Sequence, residues 1–198
     1  MASFLPTAAI TLLLLVLSPS PSVAIVDGDG DILRNGGYYY ILPHSSSKGG
    51  LTLTPAKDSS LCPLFITQDS SNSRGLPVKI STVYRIPYLS SGFPIDFSFD
   101  KVTTCYKSPH WWVAPSDANN KSYVLVGASG PFKPTYYYNI VEAKTGKNVY
   151  NIKFCHTSES EIKCKDVSIL DDGMLGVIED SPFPVTFEKY SPNIASYV

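Results

Sequence analysis

Short runs rich in Val, Ile, Tyr, Phe and Thr recur through the chain, each bounded by Gly, Pro, Asn, Asp or Ser, and helical signals are almost absent. Such runs fit half-buried strands, because branched and aromatic side chains pack well on a pleated surface. The predicted strands are "GYYYILP", "GLTLTP", "CPLFITQ", "LPVKIST", "PIDFSFD", "SYVLVGA", "YYYNIVEA", "NVYNIKFC", "DVSIL", "LGVIE" and "PVTFEKY". Turn residues in "RNGG", "SSKGG", "AKTGKN" and "LDDG" separate several of them. So many strands in a single domain imply an all-β barrel or sandwich. Tyrosine-rich strands near residues 38, 123, 137 and 150 give a faint internal repetition. These tyrosines read as core and barrel-mouth packing rather than a ligand platform.

The start of the chain is different. Residues 4–17, "FLPTAAITLLLLVL", are apolar, and "SPSPSVA" follows. This reads as a secretory leader over residues 1–24, cleaved after Ser22-Val23-Ala24, with one domain over 25–198. The run is shorter than the roughly 20 residues that a spanning helix needs. A formal net charge of −1 gives no electrostatic case for nucleic acid or an anionic membrane as partner. Four cysteines, Cys62, Cys105, Cys155 and Cys164, suggest two disulfides in a secreted chain, with three pairings open. Cys155 and Cys164 flank the short polar stretch "HTSESEIK", which would suit a local hairpin staple.

Several chemistries find no support. The chain has no G-x-S-x-G elbow, H-E-x-x-H or phosphate-binding loop, so it reads as a non-enzyme without a cofactor. His44, His110 and His156 are scattered and lack ligand partners at short spacing. Asp27-Gly-Asp-Gly-Asp31 has the composition of a calcium loop but no later bidentate Glu. Gln68, the lone glutamine, is followed by no Trp, which argues against a sugar-binding repeat. Asn120-Lys121-Ser122 is a glycosylation sequon in the polar stretch "SDANNKS". Arg74-Gly75 reads as an ordinary surface site rather than a protein contact or a nicking site.

The stretch "IVDGDGDILRNGGYYYI", residues 25–41, resembles the N-terminal signature of the plant Kunitz-type (soybean trypsin inhibitor) family. The resemblance rests on Asp27, Gly30-Asp31, Leu33, Tyr39 and Ile41 at fixed spacing. "LCPLFITQ", "FPIDFSFD", "VYNIKFC", the Cys155–Cys164 spacing and "PFPVTFEKY" extend it over nearly all of residues 25–190. It implies a β-trefoil of twelve short strands, with a pseudo-threefold barrel and capping hairpins. It implies the bridges Cys62–Cys105 and Cys155–Cys164, and a structural role for Trp111. It also implies a monomer that is secreted to the cell wall or apoplast, or held in the vacuole.

The same resemblance implies a bait. "STVYRIPY", residues 81–88, falls where the family carries its inhibitory loop. Arg85 matches the specificity residue, Arg85–Ile86 matches the bond offered to a trypsin-like serine protease, and Asn35 matches the scaffold asparagine behind the loop. Val83, Tyr84 and Pro87 complete the loop. Pro87 departs from the pattern, because it has no N–H to donate to the protease two positions after Arg85. That loss is worth about 0.5–1.5 kcal/mol, or about 1–3 kcal/mol if the enzyme's carbonyl is left buried and unpaired. The alternative implied by the family is a storage, defence or signalling protein, or an inhibitor of another protease class acting through a different loop.

Overall fold

The computed structural model describes residues 23–55, 62–99, 108–118, 121–127, 136–158 and 161–192. Their regular structure is entirely β, in twelve strands. In chain order these are β1 (Gly37–Pro43), β2 (Leu51–Pro55), β3 (Leu64–Gln68), β4 (Val78–Ser81), β5 (Asp96–Phe99) and β6 (Trp112–Val113). There follow β7 (Ser122–Val126), β8 (Tyr136–Glu142), β9 (Tyr150–Ser158), β10 (Glu161–Ile169), β11 (Leu175–Ile178) and β12 (Val185–Lys189). All eleven segments predicted from the sequence contain a strand; β6, of two residues, is too short to show any period. β10 starts ahead of the predicted "DVSIL" because exposed Glu161–Lys165 pair with β9. That half of the strand is held by its ladder and a disulfide rather than by burial.

Period-two alternation builds the core. Tyr39 and Ile41 of β1, Val78 and Ile80 of β4, and Val185 and Phe187 of β12 turn inward together. At the other side Phe97 of β5 stacks on Trp111 at 4.6 Å, and Tyr138 of β8 meets both edge-on. Trp111 is therefore a core residue.

The ladders correct the expected β-trefoil barrel. They run in one path, β2-β3-β7-β11-β10-β9-β12-β1-β4-β5, with β6 attached to β7 and β8 to β9, and among the described residues the path is open. Ile95, just ahead of β5, meets Tyr138 of β8 in an isolated bridge, and no ladder joins the two strands. The reason lies at the two ends. At the start of β2, irregular chain takes backbone groups: Leu76 N–H donates to Leu51 O at 2.8 Å and Gly50 N–H to Ser73 O at 2.9 Å. Outside β5, residues 109–111 do the same, with Phe99 N–H on Pro109 O and Trp111 N–H on Phe97 O. Loop segments thus occupy the positions that closing strands would need.

One bridge has both ends among the described residues, Cys155–Cys164, joining directly opposed residues of β9 and β10. Cys62 is also disulfide-bonded, but its expected partner Cys105 lies outside the described residues. Asn120 and residues 1–22 of the expected leader lie outside them too.

The tyrosines give this core an alkaline limit. Burial, and then the Asp96 carboxylate, push the Tyr138 phenol far above its usual range. Burial and the Asp172 acceptor raise Tyr123 to about 12, and burial also raises Tyr39 and Tyr150. Above pH ~10 the unfolded chain sheds these protons while the folded one keeps them, so their contribution is whole below pH ~10 and is lost as pH rises. A phenolate absorbance titration should therefore show these four of the thirteen tyrosines ionising late, together with unfolding. A single transition of all tyrosines near pH 10 in a folded protein would refute this.

Candidate functional site

The segment between β4 and β5 leaves the sheet at Ser81 and returns at Asp96. It presents Val83, Tyr84 and Arg85 to solvent, with Val83 82% exposed. No carboxylate among the described residues forms an ion pair with Arg85. The loop is nevertheless tied down, from one point.

That point is Asn35. Its side-chain Nδ2 donates to Tyr84 O at 3.1 Å and to Ile86 O at 3.0 Å. Its Oδ1 accepts the Thr82 N–H at 3.0 Å, and its backbone N–H donates to Pro87 O at 3.0 Å. One residue thus binds backbone on both sides of Arg85. Within the loop, Ile86 N–H donates to Tyr84 O at 2.9 Å, a tight turn centred on Arg85.

Local chemistry puts Asn35 there. The turn Arg34–Gly37 is closed by Gly37 N–H on Arg34 O at 3.0 Å, and Gly36 takes φ 79° at its third position, where a side chain would be strained. Buried Tyr39 points its phenol oxygen back at the turn and accepts the Arg34 N–H at 2.8 Å. Just upstream, three fully buried residues link three segments: Leu33 N–H donates to Ile25 O, Ile25 to Leu89 O, and Leu89 to Leu33 O. Arg34 then bridges Tyr88, so the loop's exit is fastened beside its brace.

The structure therefore brings Asn35 together with Tyr84, Arg85, Ile86 and Pro87, while Val83 projects outward. Sequence reasoning missed Thr82 as a donor and the Pro87 carbonyl as an acceptor, since backbone partners leave no residue-type signal. It also missed Phe93, whose ring lies 5.4 Å from that of Tyr84.

The other candidate sites are occupied structurally. Arg74 pairs with Glu188 at 3.1 Å and lies over the Tyr40 ring, and Gly75 is packed against the Leu51 carbonyl. Asp27 is buried, and its Oδ1 accepts the N–H groups of Asp29 and Asp31, so its carboxylate serves the turn. No group of metal-ligating side chains occurs among the described residues. His110 binds Asp96 at 2.7 Å, and His156 stacks on Tyr136 at 4.5 Å.

The chain is similar to known proteins over most of its length. The legume Kunitz family model, described as trypsin and protease inhibitor, matches residues 25–189. A trypsin inhibitor of Bauhinia variegata is 34% identical over 168 residues, covering 82% of this chain and 94% of that protein. Trypsin inhibitor A of Glycine max is 29% identical over 196 residues, covering 94% of this chain and 85% of that one. Soybean trypsin inhibitor, solved in its tetragonal complex with porcine pancreatic trypsin, superposes with a TM-score of 0.70 at 28% identity, covering 85% and 99% of the two chains. The match spans the described strands and the loop at 81–88, and the chain belongs to the legume Kunitz family of trypsin and protease inhibitors.

Proposed function

We propose that this chain inhibits a trypsin-like serine protease by offering Arg85–Ile86 as a substrate that it does not readily release. The observation that carries the reading is the Asn35 brace: three side-chain hydrogen bonds to backbone at Thr82, Tyr84 and Ile86 around an exposed, unpaired arginine. A trypsin-like pocket has an acid at its base, and an arginine that fills it makes a charge-assisted contact of the strongest kind. The flanking backbone can add to the enzyme's edge as an extra strand. A flexible peptide in this position is cut and leaves. A braced one has little conformational freedom left to lose on binding, and its cut ends stay close enough to rejoin. The surroundings favour contact as well. Val23, Ile32, Val83, Tyr84 and Tyr88, five of the eight exposed large apolar residues described, lie on this loop or on segments bonded to it. Clustered apolar exposure marks binding surface.

Pro87 limits the affinity. It has no N–H, and its carbonyl already accepts from Asn35. The enzyme's edge thus loses one donor on the leaving side. Passage through the secretory pathway is part of the proposal, and the Cys155–Cys164 bridge suits that oxidising route.

Titration of the mature protein against trypsin tests the reading. Arg85→Ala should abolish inhibition, because the pocket loses its ligand. Pro87→Arg should tighten binding by about threefold to tenfold by restoring one N–H. A wild-type protein inactive at micromolar concentration would sink the trypsin reading. Asn35→Ala should weaken inhibition by about ten- to a hundredfold and speed cleavage at Arg85–Ile86, since about two to three hydrogen bonds are lost. Asn35→Asp keeps the acceptor for Thr82 but turns oxygen toward two carbonyls, and should do no better than Ala. Unchanged cleavage in both variants would show that Asn35 does not hold the loop.

A further inference from the structure

Asn35 fixes the backbone of the loop, yet the Tyr84 side chain, next to Arg85, is beyond its reach. Tyr84 instead lies against Phe93, ring centroids 5.4 Å apart and planes tilted by 59°. Phe93 stands at the end of a turn, Ser90–Phe93, whose third residue Gly92 has φ 90° and nothing within 4 Å of where a side chain would start. Gly92 is needed there for its backbone angle, not for space.

This turn has its own attachment to the sheet. Ser91 Oγ donates to Ile140 O at 2.9 Å, and Gly92 N–H donates to Asn139 Oδ1 at 3.2 Å. Ile95 and Tyr138 exchange backbone bonds of 2.7 and 3.2 Å. Each of these partners belongs to β8, which contributes nothing to the Asn35 brace. Tyr84 is thus gripped from two elements: its carbonyl by Asn35 and its ring by a turn anchored on β8.

We propose that Phe93 is a second positioning residue for inhibition. By holding the Tyr84 ring it fixes the torsions immediately before Arg85, and the β8 anchors make this brace independent of Asn35. The inference rests on the proposed use of Arg85–Ile86. An aromatic pair of this kind carries enough energy for an effect of about threefold to tenfold.

The test is a double-mutant cycle on the full mature chain, with inhibition constant and Arg85–Ile86 cleavage rate as readouts against trypsin. Phe93→Ala should weaken inhibition by about threefold to tenfold and raise the cleavage rate, with Phe93→Tyr close to wild type. In a Tyr84→Ala background, Phe93→Ala should change little, because the ring it holds is gone. A general loss of folding would instead lower the melting temperature and act equally in both backgrounds. Asn139→Ala, which cuts an anchor without touching either ring, should shift the cleavage rate in the same direction. Equal effects of Phe93→Ala with and without Tyr84, or no effect on cleavage, would overturn the proposal. A wild type that fails to inhibit would strike the underlying reading instead, and is distinguished by being seen before any variant is made.

Discussion

Ile25, Leu33 and Leu89 donate to one another in a closed circuit of three backbone hydrogen bonds, with all three side chains fully buried. The site depends on this circuit. Each aliphatic side chain contributes about 1.5–3 kcal/mol on burial, and each hydrogen bond adds about 0.5–1.5 kcal/mol net. Burial therefore holds the three segments in place, and the hydrogen bonds set their register. Asn35 lies two residues after Leu33, and Pro87 two before Leu89. The brace and the exit of the loop are thus measured from the same fixed point.

The loop itself has no comparable anchor. Val83, Tyr84 and Arg85 bury little, so packing beneath them cannot hold their shape. Polar contacts to backbone take over, and they suit the task better. A side chain buried under the loop would take apolar surface away from the partner. An amide reaching the carbonyls from behind leaves every outward face free. The arrangement places rigidity in Asn35 and Phe93, behind and beside the loop, and leaves the side chains of Val83 and Arg85 facing outward.

Much of this was legible in the residues. Alternation in "GYYYILP" and "PVTFEKY" located β1 and β12, and glycine in "RNGG" marked the turn that carries Asn35. The resemblance of residues 25–41 to a known family pointed to the loop and its arginine. What stayed hidden was long-range. Nothing in Ser91 or Gly92 says that they reach β8, because that contact joins residues more than forty positions apart through two polar side-chain bonds. The closed barrel was expected and not found because edge coverage is a property of irregular chain. The Leu76–Leu51 and Phe99–Pro109 bonds that end the sheet come from segments with no strand pattern to read.

Those covered edges bear on how the molecule can coexist with its own copies. A protein that would lend the backbone of one loop to an enzyme's edge, as proposed here, carries a standing hazard, since its own sheet could accept such a segment from a neighbour. Here residues 73–76 cover the start of β2, at Gly50 and Leu51, and residues 109–111 run along β5. The chain projects one loop outward while irregular segments take up backbone groups at both ends of its sheet path. A copy that met another copy there would find those backbone groups already spent.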